Sequence, residues 1–148
     1  MEIKIEQVRV ELTRPLRGEV LRPGLPPEST IFPSDEFPDA QHFAAYSGDN
    51  IIGVASIFPE QFKDSPTAKA WRLRGMAVKP EYQGKGVGKA ILCEIVEFIK
   101  RFDAEILWCN GRTTAWPFYR SFGFEIVGEE FNIPESGPHF VMMLRIDR

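Results

Sequence analysis

Apolar and polar residues change their spacing along the chain, and each change marks an element. Ile3, Ile5, Val8 and Val10 alternate with Glu2, Lys4, Glu6 and Arg9, the period of a half-buried strand. Leu12, Leu16, Val20 and Leu21 recur at helical spacing, with Pro15 tolerable near the first turn and Gly24 as a stop. Between Arg22 and Pro38, five prolines exclude regular helix and central strand, which predicts a stiff loop walling one side of a pocket. His42 to Tyr46 and Ile51 to Phe58 read as strands joined by the hairpin turn Ser47-Gly48-Asp49-Asn50. A second loop, Pro59 to Ala68, leads to the apolar strand Trp71 to Val78. Val87, Ile91, Leu92, Ile95, Val96 and Ile99 form the stripe of a long helix, with Lys89, Glu94, Glu97, Lys100 and Arg101 turned away. Glu105 to Cys109 is a short strand, and strand, helix and strand in this order predict a parallel pair with a right-handed crossover. Asn110 to Thr114 reads as a polar turn, and Ala115 to Phe122 as a short helix capped by Thr114 and stopped by Gly123. Phe124 to Phe131 and His139 to Ile146 close the pattern as two strands joined by a wide loop. The class is α+β in a single domain, 1–148, with a central mixed, mostly antiparallel sheet flanked by helices.

The chemistry concentrates where the strand to Val78 meets the long helix, at Gln83-Gly84-Lys85-Gly86-Val87-Gly88-Lys89. Glycines here permit positive φ and close approach of amides to a ligand, and a helix starting inside the bend aims its unpaired amides and positive dipole end the same way. An anion such as a phosphate is the natural occupant. A Walker A loop would need glycine in place of Gln83 and Ser or Thr in place of Ala90, and a dinucleotide fingerprint would need a different glycine spacing. Both are excluded.

Composition narrows the classes further. A chain of 148 residues with a formal charge of −3 has no basic tract dense enough for nucleic acid. No apolar run suits a leader or a membrane span. Cys93 and Cys109 have neither metal-ligand nor redox spacing, so we expect two buried thiols, a reducing cytosol and no metal.

The run Gln83-x-x-Gly86-x-Gly88 between a strand and a helix resembles the coenzyme A loop of the GCN5-related N-acetyltransferases. The likeness widens to Asn110, Ala115, Phe118-Tyr119 and Gly123-Phe124, and the order of elements is similar over nearly the whole chain. The resemblance implies a parallel strand pair splayed near a thioester, with acetyl-CoA as cosubstrate. It further implies that the backbone of Met76, Ala77 and Val78 pairs with the pantetheine arm, that amides from Gly84 to Lys89, flanked by Gln83, hold the pyrophosphate, and that Asn110 reaches the arm. Lys85 and Lys89 add charge to the bend.

Tyr119 matches the family's usual acid: its phenol stays protonated at neutral pH and can donate to a departing thiolate. Many members carry glutamate as base on the strand entering the loop, where this chain offers Arg74. Arg74 instead suits contact with a carboxylate on the substrate. The run from Phe131 to Met142 resembles a branch of the family known only as uncharacterised acetyltransferases, and makes His139 the candidate base. The proline loop, with Arg22, and the final hairpin, with His139, are expected to flank the acceptor. The reading is acetyl transfer by direct attack of a primary amine, small-molecule or peptide, in a monomer or homodimer. The alternative is a coenzyme A-binding sensor or partner-binding module without transfer.

Overall fold

The computed structural model describes residues 2–147. Seven strands, β1 (Lys4–Val8), β2 (Gln41–Ser47), β3 (Asn50–Pro59), β4 (Ala70–Val78), β5 (Ile106–Arg112), β6 (Glu125–Ile133) and β7 (Gly137–Arg145), form one sheet in the order β1-β2-β3-β4-β5-β7-β6. Among the described residues β4 and β5 make its parallel pair, and the other neighbours are antiparallel. A one-turn helix α1 (Arg14–Leu16) and the longer α2 (Val87–Lys100) and α3 (Trp116–Phe122) complete the fold.

Helix α2 supplies the larger core. Val87, Ile91, Leu92, Ile95, Phe98 and Ile99 pack on Phe43, Ala45, Ile52, Ala55, Ile57, Trp71, Leu73 and Leu107 of the sheet. Each such aliphatic side chain contributes about 1.5–3 kcal/mol on burial. At Gly53 of β3 a Cβ would lie 2.9 Å from both Ile91 and Val87, so glycine lets α2 settle onto the sheet. The opposite face, through Ala44, Val54 and Ala77, receives Leu16 with Val20 and Leu21. The sheet is therefore covered on both sides.

Several boundaries depart from expectation. The helical stripe at 10–21 is composite: a 3₁₀ turn Val10–Thr13, α1, and a π-helical turn Arg17–Leu21. The proline loop contains two 3₁₀ turns, Pro27–Thr30 and Pro33–Glu36, each with proline where its missing N–H costs nothing. Asn110 is not in a turn, because β5 runs on through Asn110 and Gly111 to Arg112 by pairing with β7. Thr114 does not cap α3, whose N-cap is Ala115 after a 3₁₀ turn, while Gly123 ends the helix at φ +113° as expected. Cys109 is buried but Cys93 is exposed, on the outer side of α2.

Candidate active site

Parallel pairing of β4 with β5 runs from Ala70–Ile106 to Arg72–Trp108 and then stops. Beyond that point β4 keeps β3 on one edge, with Ala77 opposite Val54 and Val78 opposite Gly53. Its other edge, from Leu73 to Val78, faces a cleft of about 940 Å³ whose far wall includes Cys109, Asn110, Gly111 and Arg112 of β5. The divergence begins at a bulge. Gly75 takes φ +64°, and the register against β3 slips between Val54 and Ser56. One extra residue moves Met76 and Val78 onto the face already used by Trp71 and Leu73, with Arg72 and Arg74 left on the other. At Gly75 a Cβ would also stand 3.1 Å from the Phe32 ring and 3.2 Å from Arg17 Nε.

The glycine bend closes one end of the cleft. Gly84 and Gly86 have φ of +75° and +86°, and a Cβ on either would meet nothing within 4 Å. The bend thus needs glycine for conformation, not for want of space. Gly86 is the N-cap of α2, so the first-turn amides of Val87, Gly88 and Lys89 have no partner within the helix. No acidic residue occupies that turn and Lys89 does, which opposes the helix dipole and favours an anion there. Gln83 donates from Nε2 to the carbonyl of Val78 at 3.0 Å, tying the bend to the end of β4. Gly88 gives α3 its place, since a Cβ there would come 2.8 Å from the Phe118 ring.

Tyr119 lies on α3 with 6% of its surface exposed, its ring edge-on to Phe118 and Phe124. Burial, then the charge and hydrogen bonding of the neighbouring Cys109 thiol, push the phenol well above 10.0. Burial pushes Cys109 up to about 12, with the Tyr119 hydrogen bond pulling the other way. Both groups are neutral near pH 7.

Phe32 lines another part of the cleft, and a buried ion pair lies against it. Arg17 is 0% exposed and its guanidinium holds both oxygens of Asp35, at 2.8 and 2.9 Å. It also donates to the Thr30 carbonyl and to Ser56 Oγ, and stacks on Phe32 with Cζ 4.0 Å from the ring centre. Ser56 Oγ accepts from Arg17 and is hydrogen-bonded to His42 Nδ1 at 2.7 Å. Burial would raise the Asp35 carboxyl, but the hydrogen bonds from Arg17 and the Phe32 amide, with the Arg17 charge, hold it below its usual 3.8. Burial lowers His42 from 6.5, with Arg17 and Arg14 reinforcing and Asp35 and Glu11 opposing. The network binds the helical stretch and the proline loop to β2 and β3. Arg74 stacks on the free part of the same Phe32 ring at 4.5 Å, and Arg22 approaches it at 5.6 Å. Across the cleft Arg112 donates to the Leu21 carbonyl at 3.1 Å and stands opposite His139 in the β5–β7 ladder. His139 is buried, and because its Nδ1 lies 2.7 Å from the Gly137 carbonyl, which can only accept, the neutral tautomer that fits carries its proton on Nδ1 and its lone pair on Nε2.

The acetyltransferase (GNAT) family model matches residues 6–124, most of the chain and all of the cleft except the final hairpin. The chain belongs to that family. Its members are acyltransferases, and this protein is one by descent and fold. It is 28% identical over 140 residues to the uncharacterized N-acetyltransferase YitI of Bacillus subtilis (strain 168), covering 95% of this chain and 94% of the relative. A spermine/spermidine N(1)-acetyltransferase of the same strain is 32% identical over 98 residues, 59% of this chain and 60% of the relative. Among solved structures, the NatC complex bound to Gag peptide and CoA has a chain that superposes with TM-score 0.76 at 14% identity, covering 99% of this chain and 100% of that one.

Within this acetyltransferase, the cleft brings together Arg22, Arg74, Met76, Ala77, Val78, Gln83, Gly84, Gly86, Val87, Gly88, Lys89, Asn110, Tyr119 and His139. Lys85 is apart: it is exposed, with Nζ 5.7 Å from the Tyr82 ring. Sequence reasoning missed Arg17, Asp35, Gly75 and Arg112. A lone glycine inside a strand pattern is the signal that could have exposed the bulge at Gly75. Arg17 and Asp35 carried no signal, since each looks like an ordinary surface charge until the loop folds back. Among the described residues no group of three or more His, Cys, Asp and Glu is placed to hold a metal ion, and no helix is long and apolar enough to cross a membrane.

Proposed function

We propose that the protein transfers an acetyl group from acetyl-CoA to a primary amine by direct attack. The observation that carries this reading is the unpaired β4 edge running from the splay to the glycine bend and the start of α2. Coenzyme A fits what is present: open positive-φ glycines and free amides for a pyrophosphate, and strand-edge groups of Met76 to Val78 for an amide-bearing arm. The CoA-bound neighbour, alike in fold, supports the same choice. When bound, acetyl-CoA supplies the activated acyl carbon.

The chain's own groups then divide the work. A backbone amide near Ala77 polarises the carbonyl. Nε2 of His139, the lone pair left by its Nδ1 bond, takes the proton of the attacking amine. As the carbon–nitrogen bond forms and the carbon–sulfur bond breaks, Tyr119 gives its proton to the leaving thiolate. Its raised pKa keeps that proton in place beforehand. An acyl-cysteine route is disfavoured, because a Cys109 thiol near 12 holds almost no thiolate. Release of thiol from acetyl-CoA across a panel of primary amines tests the proposal. Amine-dependent release is expected, and tight coenzyme A binding without any release would favour a sensor.

A further inference from the structure

We infer that the acceptor is an amine that also carries a carboxylate, held by Arg74 with Arg22 beside it; the inference rests on the acetyl-transfer reading above. Along β4 the glycine bend follows Val78, the edge for the pantetheine arm is Met76 to Val78, and Arg74 lies on the far side of the Gly75 bulge. Arg74 therefore stands past the acyl end of the cofactor path, among the residues that line the acceptor end. Its guanidinium carbon lies 4.5 Å from the centre of the Phe32 ring, a cation–π contact that uses none of its N–H donors on an acceptor atom. Among the described residues it has no carboxylate or carbonyl partner, whereas neighbouring Arg17 is paired with both oxygens of Asp35 and Arg72 with Glu60 at 3.1 Å.

Charge around it is one-sided. Burial, then the charges of Arg72, Arg22 and Arg17, lower the Arg74 guanidinium from its ordinary value, with Asp35 opposing them. Among the described residues the cleft is lined by Arg22, Arg72, Arg74, Arg112 and Lys89 against a single carboxylate, Glu135. A polyamine would bring more positive charge into this field and find almost no acceptor for it. A carboxylate would relieve the repulsion and match the planar guanidinium edge with two parallel hydrogen bonds. The amine of such a molecule then points back toward His139 and Tyr119.

The test uses matched pairs: lysine with cadaverine, and phenylalanine with phenethylamine and with phenylalaninamide, plus spermidine. Each is titrated calorimetrically into the coenzyme A-loaded protein and assayed for thiol release. The acids are expected to bind and turn over at least tenfold better than their decarboxylated or amidated partners. Arg74→Ala should erase that preference through KM, leave coenzyme A affinity unchanged, and be partly restored by Arg74→Lys. Equal or better use of cadaverine, spermidine or the amide overturns the inference while acetyl transfer stands. So does loss of coenzyme A affinity in Arg74→Ala, which would place the residue on the cofactor. Arg74-dependent binding of the acids without thiol release keeps the carboxylate site and overturns acetyl transfer instead.

Discussion

Tyr119 and Cys109 show how one buried contact sets the chemistry available to a residue. Burial keeps both groups neutral, and the thiol further raises the phenol while the phenol's hydrogen bond pulls the thiol the other way. Phenylalanine at this place retains the ring contacts with Phe118 and Phe124 and loses only the hydroxyl. Tyr119→Phe is expected to leave coenzyme A affinity intact, cost about 1 kcal/mol of stability, and lower the single-turnover rate roughly a hundredfold. Equal single-turnover rates would make solvent the proton donor. At Gly75 the requirement is conformational: a Cβ at φ +64° is strained, and it would press on Phe32 and Arg17. Gly75→Ala should lower stability by roughly 1–2 kcal/mol from the backbone alone, read as a shifted urea midpoint, and should impair amine turnover more than coenzyme A binding.

At the scale of elements, the site is made where three of them end. The β4–β5 pairing ends at Arg72–Trp108, the bulge re-aims the rest of β4, and α2 begins with its amides free at Gly86. Gly53 and Gly88 let α2 lie close to β3 and α3, which fixes the direction in which those amides point. Gly86→Asp adds a side chain at φ +86° and a negative charge beside the free amides. Loss of measurable coenzyme A binding by calorimetry, with an unchanged far-ultraviolet circular dichroism spectrum, is the expected result. Retained affinity would move the pyrophosphate elsewhere.

Across the whole molecule, the Phe32 wall of the cleft depends on charge buried behind it. Removing the Asp35 charge leaves Arg17 buried without its anion, so Asp35→Asn should cost about 3–5 kcal/mol in urea unfolding. Acid should act on the same network in two steps. Both folded pKa values lie below the ordinary ones, so in each window the unfolded chain takes up protons that the folded chain refuses. The stability held by His42 is full above pH 6.5 and falls as pH drops from there toward its folded value, and that held by Asp35 falls in the same way below 3.8. Melting temperatures measured from pH 8 to 3 should show both losses, and His42→Gln should abolish the first while leaving the second.

The chain alone determined most of the elements and the glycine bend at one end of the cleft, because both are encoded locally. Helical spacing marks α2 wherever it packs, and Gln83, Gly86 and Gly88 specify a bend whose conformation depends on glycine itself. Gly123 likewise stops α3 by its own positive φ. What the tertiary structure decided was every feature that depends on a distant partner. Asn110 extends β5 instead of turning because β7 offers hydrogen bonds, and Arg112 is brought opposite His139 by that register. Arg17 becomes a buried charge only when Asp35, in the proline loop, and Ser56, on β3, close around it. Arg74 is left without a carboxylate partner because that same closure turns both Asp35 oxygens onto Arg17, and it sets Phe32 beside Arg74. Local propensity carries no record of such contacts, since their energy comes from burial and pairing between residues far apart in the chain.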